Sequence, residues 1–104
     1  MNERRRDKRK SISLSTRLSS RKVDSFGQIR DISKSGICVQ CPAFMPQGTS
    51  LNINLILQEE KMVCPTGKVV WTMESLFETQ PGFIYGIKFV SKPLTFDECI
   101  ERIC

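Results

Sequence analysis

The stretch SISLSTRLS, Ser11 to Ser19, decides the fold class. Ile12, Leu14, Thr16 and Leu18 alternate with Ser13, Ser15, Arg17 and Ser19. Successive side chains of an extended chain point to opposite faces, so this period of two predicts a strand with one face on a core and one in water. A helix would need apolar residues three and four apart instead.

The same period returns further along. VDSFGQIRDIS carries turn residues Asp24, Ser25 and Gly27 and then leads into Ile29 and Ile32. GICVQC is a short strand bounded by Gly36 and Pro42, and SLNINLIL alternates at Leu51, Ile53, Leu55 and Leu57. The polar QEEK is a tight connection to MVCPTGKVVW, where Pro65 and Gly67 predict an edge or a bulge. ESLFETQPG reads as a loop and FIYGIKFV as the last strand. Only the end changes period. In TFDECIERIC, Phe96, Cys99, Ile100 and Ile103 share one helix face, Thr95 and Glu98 form a capping box, and Pro93 stops the strand before it. About six short strands and one terminal helix predict a mainly all-β fold, a small antiparallel barrel with a C-terminal helix packed alongside.

Toward the N-terminus the pattern gives way to charge. Arg4, Arg5, Arg6, Lys8, Arg9 and Lys10 crowd one short segment around Asp7. Residues 1–22 hold nine Lys/Arg against two acids, a net +7, and the rest of the 104-residue chain is −2. The basicity belongs to one arm, which implies an anionic partner for that arm. Guanidinium is planar, forked and always charged, so arginines there point to phosphate or base recognition more than lysines would. The plainer reading of the arm is a solvated tail.

No apolar run exceeds three residues, so neither a membrane span nor a signal-peptide core is expected. Five irregularly spaced cysteines suit a reducing cytosol. Histidine is absent, which removes the commonest general base and metal ligand, and no paired carboxylates or activated serine stand out, so no enzyme is expected. Cys38 and Cys41 spell C-x-x-C, but residues three apart on a strand face opposite ways and cannot grip one metal without a bulge. No metal and no cofactor are expected.

Between two strands lies DISKSG, Asp31 to Gly36. As a turn, Asp31 and Ser33 bond local backbone and Gly36 supplies a positive φ. As a site, a carboxylate and a hydroxyl project from a stiff sheet, and a carboxylate accepts what guanine's N1–H and N2–H2 edge donates.

Taken together, R-x-x-x-R (Arg5 and Arg9, preceded by Arg4) and, some twenty residues on, D-x-S-x-x-G (Asp31, Ser33, Gly36) resemble the PilZ domain family of bacterial cyclic di-GMP receptors. GKVVWT, with Trp71, and YGIKFV, with Gly86 and Phe89, resemble later parts of that pattern. The resemblance implies a six-stranded split barrel as one domain over residues 1–104. A flexible arginine-rich arm spans 1–11, the barrel 12–93 and the helix 94–104. It further implies that Arg4, Arg5 and Arg9 contact phosphates and guanine faces, that Asp31 and Ser33 hydrogen-bond a guanine, and that Gly36 leaves room for the ligand. Trp71 could stack at the edge of the site, although a lone Trp on a strand is more often core. The implied function is a cytoplasmic second-messenger receptor whose arm orders over the ligand and alters a surface for an unidentified downstream protein. The rival from another class is a nucleic-acid-binding barrel with a basic arm. It is disfavoured because the arm lacks interleaved aromatics and the barrel is net acidic. A third reading is a basic tail touching anionic lipid, but nothing apolar in the arm supports insertion.

Overall fold

A computed structural model describes residues 10–56, 62–75 and 82–103. The order is β1 (Lys10–Ser19), β2 (Asp24–Ile32), β3 (Gly36–Cys41), β4 (Ser50–Ile56), β5 (Met62–Val63), β6 (Thr66–Glu74), β7 (Phe83–Ser91) and α1 (Phe96–Ile103). All pairings are antiparallel, in the order β1-β2-β3-β7-β6-β4, and β1 pairs back onto β4 to close the barrel. Six strands make the wall. The two-residue β5 only extends one end of β4.

Alternation fixes which side chains go inside. In β4, Leu51, Ile53 and Leu55 are buried while Ser50, Asn52 and Ile56 are exposed, the half-buried pattern anticipated above. Leu18, Ile37, Val39 and Ile87 join them in the core, and burying each large aliphatic side chain contributes about 1.5–3 kcal/mol. Tyr85 is fully buried, and its hydroxyl accepts from the Met45 N–H at 2.7 Å and donates to the Ala43 carbonyl at 2.7 Å. Burial pushes its pKa up, with the bond from Met45 pulling the other way. Phe96 of α1 closes the core edge-on to Phe89, with ring centroids 4.9 Å apart. Among the described residues, no helix is long and apolar enough to cross a membrane.

Two sequence expectations shift. The first turn lies before Asp24, where the Ser20 N–H donates to the Val23 carbonyl at 2.7 Å and Ser20 Oγ accepts from Lys22 and Val23. Asp24 starts β2, forked by Arg17 across the hairpin at 2.6 and 2.8 Å. Gly27 is a strand residue, glycine because a Cβ there would meet Val39 and the Gln40 carbonyl. The wall also begins at Lys10, two residues earlier than expected.

Candidate functional site

Two irregularities place Asp31. Between Ile29 and Asp31, β2 carries one residue more than β3, and between Ser11 and Leu14, β1 carries one more than β2. Bulges re-aim side chains. Here the extra residue in β2 is Arg30. Ile29 and Ile32, three apart, are both fully buried, so Arg30 and Asp31 fall together on the outer face. Asp31 is half-buried, with one carboxylate oxygen, Oδ1, covered.

The registers place Asp31 in a row across five strands. Ser11 of β1 pairs with Asp31, Asp31 with Cys38 of β3, Cys38 with Gly86 of β7, and Gly86 with Trp71 of β6. Trp71 again follows a bulge, at Val70, and is 43% exposed. Its indole lies flat on Gly86, where a Cβ would collide with the ring. Along the curved wall, Asp31 and Trp71 are separated by three strand spacings of about 4.8 Å each. Asp31 and Trp71 thus lie at one level of the outer wall, three strands apart. Cys38 and Gly86 between them were not singled out for this face. Only pairing registers reveal them.

Ser33 and Gly36 have structural duties of their own. Ser33 is fully buried in the β2–β3 turn, where its N–H donates to the Gly36 carbonyl at 2.9 Å. Its Oγ accepts from the Ser35 N–H at 3.2 Å and lies 3.1 Å from the Ser35 hydroxyl. The hydroxyl shapes the turn that holds Asp31. Gly36 does not take the positive φ that a turn reading gave it; among the described glycines only Gly48 and Gly82 do. A Cβ on Gly36 would run into the backbone carbonyl of Ile87, so close approach of β3 to β7 is what requires glycine here. Arg4, Arg5 and Arg9 lie outside the described residues.

The turn is also tied to α1. Lys92 Nζ donates to the Lys34 carbonyl at 2.8 Å and to Asp97 at 3.0 Å, and Lys34 Nζ reaches Glu101 at 3.1 Å.

Cys38 and Cys41 fall on opposite faces, as strand geometry required: Cys41 is in the core and Cys38 is half-buried outside. A cleft of about 580 Å³ lies elsewhere, bounded by Arg21, Lys22, Pro46 and Leu51. It opens at the Ser19 end of β1, about 30 Å of strand away from the Lys10 end beside Asp31. A shallower groove of about 420 Å³ lies between Phe26, Gln28, Gln40 and Pro42.

The fold is shared with solved structures. The Bacillus subtilis inhibitor of motility (MotI/DgrA) superposes with a TM-score of 0.80 at 17% identity, over 98% of this chain and 52% of that one. The PilZ domain of YcgR from Escherichia coli, solved with cyclic di-GMP, gives 0.77 at 15% identity, over 97% and 88%. The K. pneumonia MrkH–cyclic di-GMP complex gives 0.77 at 20% identity, over 98% and 51%. The chain spans about half the length of MotI and of MrkH. No curated protein matches it in sequence. The model of the PilZ domain matches residues 3–104, both motifs and the last helix included, and so the chain belongs to the PilZ domain family.

Proposed function

We propose that this protein is a receptor for cyclic di-GMP, bound on the outer row from Asp31 to Trp71 and enclosed by the N-terminal arm. The observation that carries this is the β1–β2 register. Lys10 pairs with Ile32 and Ser11 with Asp31, so the arm is rooted beside the carboxylate. Arg9 is one peptide from Lys10. Arg5 is five residues from it, a reach of up to about 17 Å, enough to cover the row. Two structural neighbours, YcgR and MrkH, hold cyclic di-GMP on the same fold.

The chemistry suits the ligand. Asp31 accepts from a guanine Watson–Crick edge, Ser33 keeps the turn beneath it in shape, and Trp71 offers a ring for stacking. The guanidinium groups of Arg4, Arg5 and Arg9 meet phosphates and purine faces. Ordering the six residues from Arg4 to Arg9 costs about 6–12 kcal/mol, at roughly 1–2 per residue. Charged hydrogen bonds return about 1.5–3 kcal/mol each, so four or more must form together. The arm therefore closes on ligand, and the links from Lys34 and Lys92 to α1 offer a route to a surface read by a downstream protein. The role is sensing in the cytoplasm, without catalysis.

Titration calorimetry tests this. Cyclic di-GMP is expected to bind at micromolar concentration or tighter, and Arg9→Ala or Asp31→Ala to abolish it. An oligonucleotide should bind only weakly, without sequence preference, and lose affinity with salt. Oligonucleotide and dinucleotide binding lost together on Arg9→Ala, with Asp31→Ala harmless, would favour a nucleic-acid binder.

A further inference from the structure

Arg30, outside the motifs, stands beside Asp31 on the outer face. We propose that Arg30, held by Gln40, is a fixed contact for a phosphate of the dinucleotide, an inference that rests on the reading of the Asp31 row above. In a regular strand, neighbouring residues face opposite ways. Arg30 lies beside Asp31 on the outer face only because the bulge inserts it there. The row itself, Ser11, Asp31, Cys38, Gly86 and Trp71, has a carboxylate and no cation. A dianionic ligand laid along it meets that negative charge, and a guanidinium on the next residue offsets it.

The side chain is already positioned. Arg30 Nη1 donates to Gln40 Oε1 at 2.6 Å, and the Gln40 Nε2 donates in turn to Ser75 Oγ at 3.3 Å. Gln40 is only 7% exposed, so its amide is a rigid anchor. A guanidinium has five N–H donors, and the bond to Gln40 uses one of them. The bond to Gln40 leaves the rest of the fork, on an exposed side chain, for a ligand. Held by Gln40, Arg30 loses little freedom on meeting a phosphate, so its contact carries a low entropic cost. In this scheme a phosphate of the ligand meets Arg30 while a guanine edge meets Asp31.

The test is calorimetry of the full chain with cyclic di-GMP at low and high salt, with thermal melts as the folding control. Arg30→Ala is expected to weaken binding about 10- to 100-fold, to melt like wild type, and to lose part of the wild-type salt dependence. Arg30→Lys should recover only part of the affinity, because an ammonium lacks the fork. Gln40→Met keeps the charge but frees the side chain, and a several-fold loss there shows positioning. If wild type binds and Asp31→Ala does not, yet Arg30→Ala stays within about twofold of wild type, the inference is wrong. If wild type itself does not bind, the receptor reading fails first and Arg30 with it.

Discussion

Gly36→Ala should be far more damaging than a single methyl on a strand suggests. The new Cβ would occupy space held by the Ile87 backbone carbonyl, and a main-chain atom cannot swing aside as a side chain does. To restore an ordinary C···O contact, β7 must retreat by about 1 Å. Overpacking of that kind costs about 1–3 kcal/mol. It also loosens the ladder locally, where Gly36 pairs with Lys88 and the Phe89 N–H donates to the Ser35 carbonyl at 2.8 Å. Two weakened hydrogen bonds add about 2 kcal/mol. Removing glycine's freedom from the unfolded chain returns about 0.4–1 kcal/mol. The net loss is about 3 kcal/mol, or about 12–24 °C in melting temperature for a domain of this size. Differential scanning calorimetry or urea unfolding reads it directly. A variant melting within about 3 °C of wild type would refute the steric argument and return Gly36 to a purely ligand-facing role.

Gly86→Ala makes the contrast, because the group in its way is the exposed Trp71 ring and not backbone. Stability should fall by under about 1.5 kcal/mol. Emission from Trp71, the chain's one tryptophan, should change as the ring lifts off the sheet. Tyr85→Phe should cost about 1–3 kcal/mol in urea unfolding, since it strands the buried Met45 N–H. The Arg17 guanidinium bonds to Asp24 and holds its carboxyl below the usual carboxylate range. A lowered folded-state pKa contributes stability present above the unfolded value and lost as pH falls through the folded one, so this pair helps at neutral pH and fades in acid. Carboxyl NMR should find the Asp24 midpoint low in wild type and back near its ordinary value in Arg17→Gln.

The barrel was legible because its signal is local. Alternation at Ile12–Leu18 and Leu51–Leu55 names the buried face of a strand without knowledge of its partners. The acid of the proposed site comes from a local signal too, as Asp31 sits at a fixed spacing from Ser33 and Gly36. The residues beside it were not. Cys38 and Gly86 come from two other strands and join Asp31 only through pairing registers that bulges shift; an inserted residue has no sequence mark of its own. Arg30 was hidden likewise, since strict alternation would set it on the face opposite Asp31. Gly27 misled in the other direction. A glycine after Asp24 and Ser25 reads as a turn, whereas close approach of a neighbouring strand is what demands it. Strand contacts between distant residues leave the same letter behind as a tight turn.

The most direct measurement is an amide and indole NMR map of the labelled chain titrated with cyclic di-GMP. The account predicts that shifts concentrate at Ser11, Asp31, Cys38, Gly86 and the Trp71 indole N–H, with Arg4 to Arg9 changing alongside. Perturbation confined to the Arg21 and Lys22 cleft, leaving Asp31 and Trp71 untouched, would contradict it.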